Sequence, residues 1–181
     1  MKIVTAGMYR SGTTWQFNAV RVICEMAFGD DMVYSCWVDH YKKEDPRPVH
    51  IIKTHKPRKV INKANFLFST YRKPDKIKGS MKRRAEYLKE NPDTRFSAEA
   101  NIARFDEFMA FADHFRKRAN YVQKFGMIRK DPERLIQDYC DVLDVELNPS
   151  DVVSELEKQM KVPESGYDPK TLLHEGHITK K

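Results

Sequence analysis

The sequence predicts an α/β fold in which a central parallel sheet is covered on both faces by helices. Three observations predict it. Short apolar runs alternate with amphipathic helical stretches along most of the chain, the pattern of repeated strand–helix units. The first such unit carries a glycine-bearing loop between strand and helix, Gly7-Met8-Tyr9-Arg10-Ser11-Gly12. The chemistry-bearing residues follow the predicted strands, and in parallel sheets ligands sit beyond the carboxyl ends of the strands.

Taken in order, Ile3-Val4-Thr5-Ala6 reads as a buried first strand over 2–6, and 13–28 as a helix with Trp15, Ala19, Val22, Ile23, Met26 and Ala27 on one face. The segment 32–38 reads equally as strand or helix. The polar, proline-bearing stretch 39–48 is a loop, and 50–54 and 64–71 are strands, the second a central one. Pro74 opens a helix lined by Ile77, Met81, Ala85 and Leu88, and 90–93 breaks it. A long helix is expected over 97–119, where Phe105, Phe108, Phe111 and Phe115 read as core. A last strand runs over 121–128, interrupted by Gly126. Asp131-Pro132 is an N-cap followed by proline at the first helical position, opening a helix to about 143. A final helix starts at Ser150, and 163–181 is an irregular tail. The 181 residues form one domain in this reading.

Charge is distributed unevenly. The formal net charge is +7, yet the segment 53–84 alone carries twelve basic residues and one acid, so the rest of the chain is net negative. A local positive field attracts anions. The three cysteines, Cys24, Cys36 and Cys140, are far apart and form no C-x-x-C pair, so neither a disulfide framework nor a zinc site is expected. No apolar run approaches bilayer-spanning length, and the chain opens directly on a strand. The expectation is a reducing, cytoplasmic protein without a membrane span.

The loop at 7–14 has the chemistry of a phosphate cradle. First-turn amides of a helix have no partner within it and point at whatever the loop holds. Ser11, Thr13 and Thr14 offer hydroxyls and Arg10 a charged fork. The G-x-x-x-x-G spacing is that of a Walker A loop, but Thr13-Thr14 stands where that motif has lysine followed by serine or threonine. The loop thus suits a single phosphate group better than a magnesium-bound triphosphate. His55 follows Lys53-Thr54 at a strand end, where neighbouring positive charge disfavours its protonation. Arg72 and Ser80 flank the turn from the 64–71 strand into the next helix, a second place for a phosphate.

Three segments in order resemble the sulfotransferase family. Tyr9-Arg10-Ser11-Gly12-Thr13-Thr14-Trp15 is similar to its 5′-phosphosulfate loop, P-K-S-G-T-T-W. Lys53-Thr54-His55 is similar to its K-T-H segment, and Arg72 through Ser80 to its 3′-phosphate segment, R-N-x-x-D-x-x-x-S. Together they cover roughly the first half of the chain. The Asp131-Pro132 helix resembles the family's Asp-Pro helix more weakly. The resemblance implies a three-layer P-loop-like fold that binds 3′-phosphoadenosine 5′-phosphosulfate (PAPS) and moves its sulfuryl group to a hydroxyl on a small molecule or glycan. It implies that Arg10, Ser11, Gly12, Thr13, Thr14 and Trp15 bind the nucleotide at the loop, and Arg72 and Ser80 at the 3′-phosphate. It further implies His55 as general base, with Lys53 and Arg10 supporting the transferred group and the departing oxygen, and no metal.

The departures are specific: Arg10 replaces the family's lysine, Tyr9 its proline, and the family's C-terminal R-K-G-x-x-G segment has no match. Two other classes fit parts of the pattern. A P-loop kinase would use 33–39 as a Walker B strand ending at Asp39, and a nucleic-acid-binding protein would use the basic stretch. Magnesium dependence discriminates the first and a steep salt dependence of DNA binding the second. The expectation is that no nucleic acid is bound.

Overall fold

The computed structural model describes residues 1–90, 98–161 and 166–174. Strand β1 (Lys2–Ala6) leads through the glycine loop into α1 (Thr13–Phe28), with the predicted bounds. The ambiguous segment is a strand, β2 (Val33–Trp37), followed by a 3-10 turn over Val38–His40. Next come β3 (Val49–Thr54), β4 (Phe66–Tyr71) and α2 (Pro74–Glu90). Then follow α3 (Ala98–Ala103), α4 (Phe105–Arg118), β5 (Tyr121–Lys124), α5 (Met127–Lys130), α6 (Pro132–Leu143) and α7 (Pro149–Gln159).

The five strands form one wholly parallel sheet in the order β2-β3-β1-β4-β5. Strand β1 is central, and the chain leaves it toward β2 and β3 before returning on its other side as β4. A reversal of strand order of this kind opens a crevice at the carboxyl ends. The register levels those ends: Ala6 pairs with Thr54 of β3 and with Ser69 of β4. Gly7, His55 and Thr70 therefore stand side by side, each one step further along its own strand.

Alternation along the strands divides the core. Ile3, Ile51 and Phe68 pack with α1, α6 and α7, while Val4, Ala6, Ile52 and Leu67 face Phe115 of α4 on the opposite side. This is the three-layer architecture. A third cluster, Met8, Ile77, Met81, Phe105, Phe108 and Ala112, packs the loop against α2 and α4. Phe105, Phe108 and Phe115 are buried, as expected of core aromatics. Cys24, Cys36 and Cys140 are buried free thiols. Among the described residues no helix is long and apolar enough to cross a membrane.

Four expectations are corrected. The helix over 97–119 is broken at Arg104 (φ −102°, ψ 21°), whose guanidinium pairs with Glu107 and lies over the Phe108 ring. The strand over 121–128 stops at Lys124, because 125–130 turns back to pack on the loop and becomes α5. Helix α1 is not one-faced: Asn18 and Arg21 are as buried as Val20 and Val22, while Met26 is exposed. The cause is the fourth correction. The tail expected to be irregular forms an antiparallel pair of β6 (Tyr167–Asp168) and β7 (Leu173–His174) and covers α1. Asn18 Nδ2 donates to the Thr171 carbonyl (2.8 Å), Arg21 pairs with Glu25, and Glu25 also meets Lys170 (3.1 Å). The break at 90–93 falls largely outside the described residues, as do 175–181.

Candidate active site

The sequence builds the cradle by starting a sixteen-residue helix directly after a glycine. Gly12 is left-handed (φ 93°), a conformation that side chains disfavour, and it carries no group to cap α1. The first-turn amides of α1 therefore have no side-chain cap, which is the arrangement that favours anions. Arg10 is also left-handed (φ 63°), which turns the loop sharply over the strand end.

The loop is clamped against its neighbours. A Cβ on Gly7 would lie 2.2 Å from Thr70 Oγ1 and 3.0 Å from Thr13 Cγ2. Ser11 Oγ donates to the Met8 carbonyl and accepts from Thr70 Oγ1 at 2.6 Å. The Ser11 hydroxyl, expected to face an anion, is thus spent on holding the loop to β4. Thr13 is likewise buried, beside Gly7. We predict that Gly7→Ala costs about 1–3 kcal/mol of stability through overpacking, read as a lower denaturant midpoint. Pairing it with Thr70→Ser, which keeps the hydroxyl that meets Ser11, should not restore the midpoint.

The other two motifs reach the same loop. Arg10 Nε donates to Ser80 Oγ (3.1 Å), and Arg72 Nη1 donates to the Arg10 carbonyl (2.7 Å). Arg72 lies over the Phe125 ring at 3.9 Å. Lys53 Nζ donates to Thr14 Oγ1 at 2.5 Å. The structure thus brings together Arg10, Ser11, Gly12, Thr13, Thr14, Lys53, His55, Arg72 and Ser80. Trp15 stands apart from them, with its ring 6.4 Å from Tyr139 on the core side of α1.

The electrostatics are those of an anion site. Burial and then the charges of Arg84, Arg72 and Arg83 lower the pKa of Arg10, and burial with Arg83 and Arg129 lowers that of Arg72. Cations crowded on one another are stabilised by negative charge between them. Burial brings Lys53 down to about 7. His55 is brought down to about 3, by burial first and Lys53 second, against the opposing pull of the Gly7 carbonyl. Desolvation, more than the cationic neighbours weighed in the sequence, keeps the imidazole neutral.

The hydrogen bond of His55 fixes its tautomer. Nδ1 lies 2.6 Å from the Gly7 carbonyl. A carbonyl only accepts, so Nδ1 carries the proton and Nε2 is left as the basic nitrogen.

Sequence reasoning missed three residues. Gln123 on β5 is fully buried, its Nε2 has no hydrogen-bond partner, and that atom lies 3.2 Å from where a Gly12 Cβ would be. Its polar side chain facing inward between Tyr121 and Phe125 was the available signal. Tyr9 packs on His55, and Phe125 carries Arg72. Asp39 belongs elsewhere: it bonds to Trp37 Nε1 and Arg58, beyond an edge strand that β3 separates from β1. Among the described residues no three His, Cys, Asp or Glu side chains are grouped to hold a metal.

The fold is that of a P-loop-like α/β protein, with an uncapped helix start and clustered cations at its topological switch. No family model matches the sequence, and no curated protein matches it. Solved structures do share the fold. Retinol dehydratase in complex with androsterone and inactive cofactor PAP is similar with a TM-score of 0.58 at 16% identity, over 88% of this chain and 64% of that one. Retinol dehydratase in a complex with retinol and PAP gives 0.56 at 16% identity, over 86% and 63%. This chain spans under two thirds of the length of those structures. At this identity the likeness is one of fold, a parallel sheet covered on both faces by helices.

Proposed function

We propose that this protein transfers the sulfuryl group of PAPS to an acceptor hydroxyl. The observation that carries the reading is the convergence of the three motifs on β1, β3 and β4. The 7–14 loop, the lysine–histidine pair and the arginine–serine pair are joined by direct hydrogen bonds at the carboxyl end of the sheet. The likeness to PAP-bound structures agrees with it.

The residues present fit a nucleotide with phosphates at both ends. The uncapped start of α1, Arg10 and Thr14 suit the 5′-phosphate, and the orphaned Gln123 Nε2 beside Gly12 is a buried donor still without an acceptor. Arg72 and Ser80 suit the 3′-phosphate, with Arg83 and Arg129 close enough to add positive charge. PAPS would supply a sulfuryl group on a good leaving phosphate. His55 Nε2 would take the proton of the acceptor hydroxyl as its oxygen attacks sulfur. The electron pair of the breaking S–O bond goes to the departing phosphate oxygen, where Arg10 and Lys53 would meet the growing charge. Phe105, Phe108 and Phe115 belong to the core, so the acceptor would approach past Tyr9 and Trp37, the rings against His55.

Thermal shift separates this reading from a kinase. Adenosine 3′,5′-bisphosphate (PAP) without metal should stabilise the protein more than ATP with magnesium does, and an acceptor screen with PAPS should follow. The reverse order of stabilisation would favour phosphoryl transfer.

Within this reading Arg72 selects the nucleotide. Charge-assisted hydrogen bonds contribute about 1.5–3 kcal/mol. Arg72→Ala should weaken PAP binding by roughly ten- to a hundredfold and AMP binding far less, as titration calorimetry would read. Equal losses for both would assign Arg72 to the loop carbonyl that it already holds.

A further inference from the structure

The proposed reaction needs His55 within reach of an acceptor, yet the residue is only 6% exposed. Its Nδ1 side is closed by the Gly7 carbonyl. The Tyr9 ring lies against it, with centroids 3.9 Å apart and planes at 43°, and Trp37 stands at 5.4 Å. The two covers differ in how they are held. Trp37 is tied through Nε1 to Asp39, which is itself paired with Arg58. Tyr9 is half-buried and rests edge-on against Phe108 at 4.8 Å, a contact made by ring packing. Charges near it come from Arg104 and Asp39, and Lys56 stands over Phe108. Its place in the loop, between Met8 and the left-handed Arg10, puts it on the backbone that would carry the 5′-phosphate.

We propose that Tyr9 is the gate over His55: its ring must swing off the imidazole for an acceptor to reach Nε2, and the space it yields selects the acceptor. The consequence for specificity rests on the sulfuryl-transfer reading. The occlusion rests on the ring geometry alone. Loop side chains that shield a site open through rotamer changes, so shielding appears as a slowed reaction of the group beneath.

The test reads each directly. Diethyl pyrocarbonate reacts with an unprotonated imidazole nitrogen, which attacks a carbonyl carbon and expels ethyl carbonate. Labelling of each histidine is followed by peptide mass spectrometry, with exposed His40 and His114 as references and buried His50 as the reporter of unfolding. Tyr9→Ala should speed labelling of His55 by roughly tenfold or more relative to His114, while Tyr9→Phe stays near wild type. An unchanged His55 rate in Tyr9→Ala overturns the gate, as does an equal rise in Tyr9→Phe. If Tyr9→Ala unfolds, shown by faster labelling of His50, Tyr9→Val is read by the same criterion. With PAPS as donor, Tyr9→Ala should raise kcat/KM for 2-naphthol over that for 4-nitrophenol by roughly tenfold. An unchanged ratio removes the role in selection. A protein that turns over neither phenol speaks against the transfer reading, and the labelling still decides the gate.

Discussion

His55→Ala should bind PAP nearly as tightly as the wild type and lose roughly two to four decades of sulfuryl transfer. The expectation follows from the fixed tautomer. Nδ1 is committed to the Gly7 carbonyl, so Nε2 is the basic nitrogen of the imidazole. In the protein without ligand, burial and Lys53 hold the imidazole near 3, too weak for a general base at neutral pH. The charge of a bound donor acts in the opposite direction and raises it. On the proposed reading His55 is therefore a stronger base with the donor in place than without it. The acceptor must be an alcohol of high pKa, since an acidic phenol reacts with less help. Full activity of His55→Ala on such an alcohol would assign the proton to another group.

Lys53→Met should cost roughly two to three decades in turnover, the usual loss when a preorganised donor to a developing charge is removed. It should also abolish a pH dependence. The amine is buried and brought down to about 7, so in the free protein it is charged below that pH and neutral above it. An anion in the cradle favours the charged form and raises the pKa. Binding then takes up a proton above pH 7, and affinity for PAP falls as pH rises from 7 to 9, by at most roughly tenfold per pH unit. The Lys53→Met variant separates this slope from any proton that His55 takes up when the donor raises its pKa. Calorimetry in buffers of different ionisation enthalpy reads the proton directly. A slope that survives in Lys53→Met would belong to a different group.

The first strand, loop and helix were legible to the residue because three local signals agree there. An apolar run, a glycine-bearing turn and a 3.6-residue period all speak of the same few residues. Lys53, His55, Arg72 and Ser80 were legible as positions, since strand ends in a parallel sheet converge whatever the side chains are. Side-chain direction was not. Nothing local reveals that Ser11 turns inward, because the Thr70 hydroxyl that receives it is 59 positions away. The break at Arg104 has no glycine or proline to mark it, and the apolar stripe continues through Ile102 and Phe105. The β6–β7 pair escapes periodicity because each strand has two residues. It is held by tertiary bonds from Asn18 and Glu25, two polar residues on a helix read as one-faced. By its local sequence Gly126 interrupts a strand. It sits where the chain turns Phe125 toward Arg72 and Ile128 toward Gly12.

The central claim is that one crevice, at the ends of β1, β3 and β4, holds a nucleotide by both of its phosphates. A crystal structure of the protein with PAP tests it most directly. The account predicts the 5′-phosphate at the start of α1, within hydrogen-bonding distance of the 12–14 amides and Arg10. It predicts the 3′-phosphate against Arg72 and Ser80, with Lys53 and His55 Nε2 facing the place where sulfur would sit. A nucleotide bound elsewhere, with the 7–14 loop empty, would contradict it.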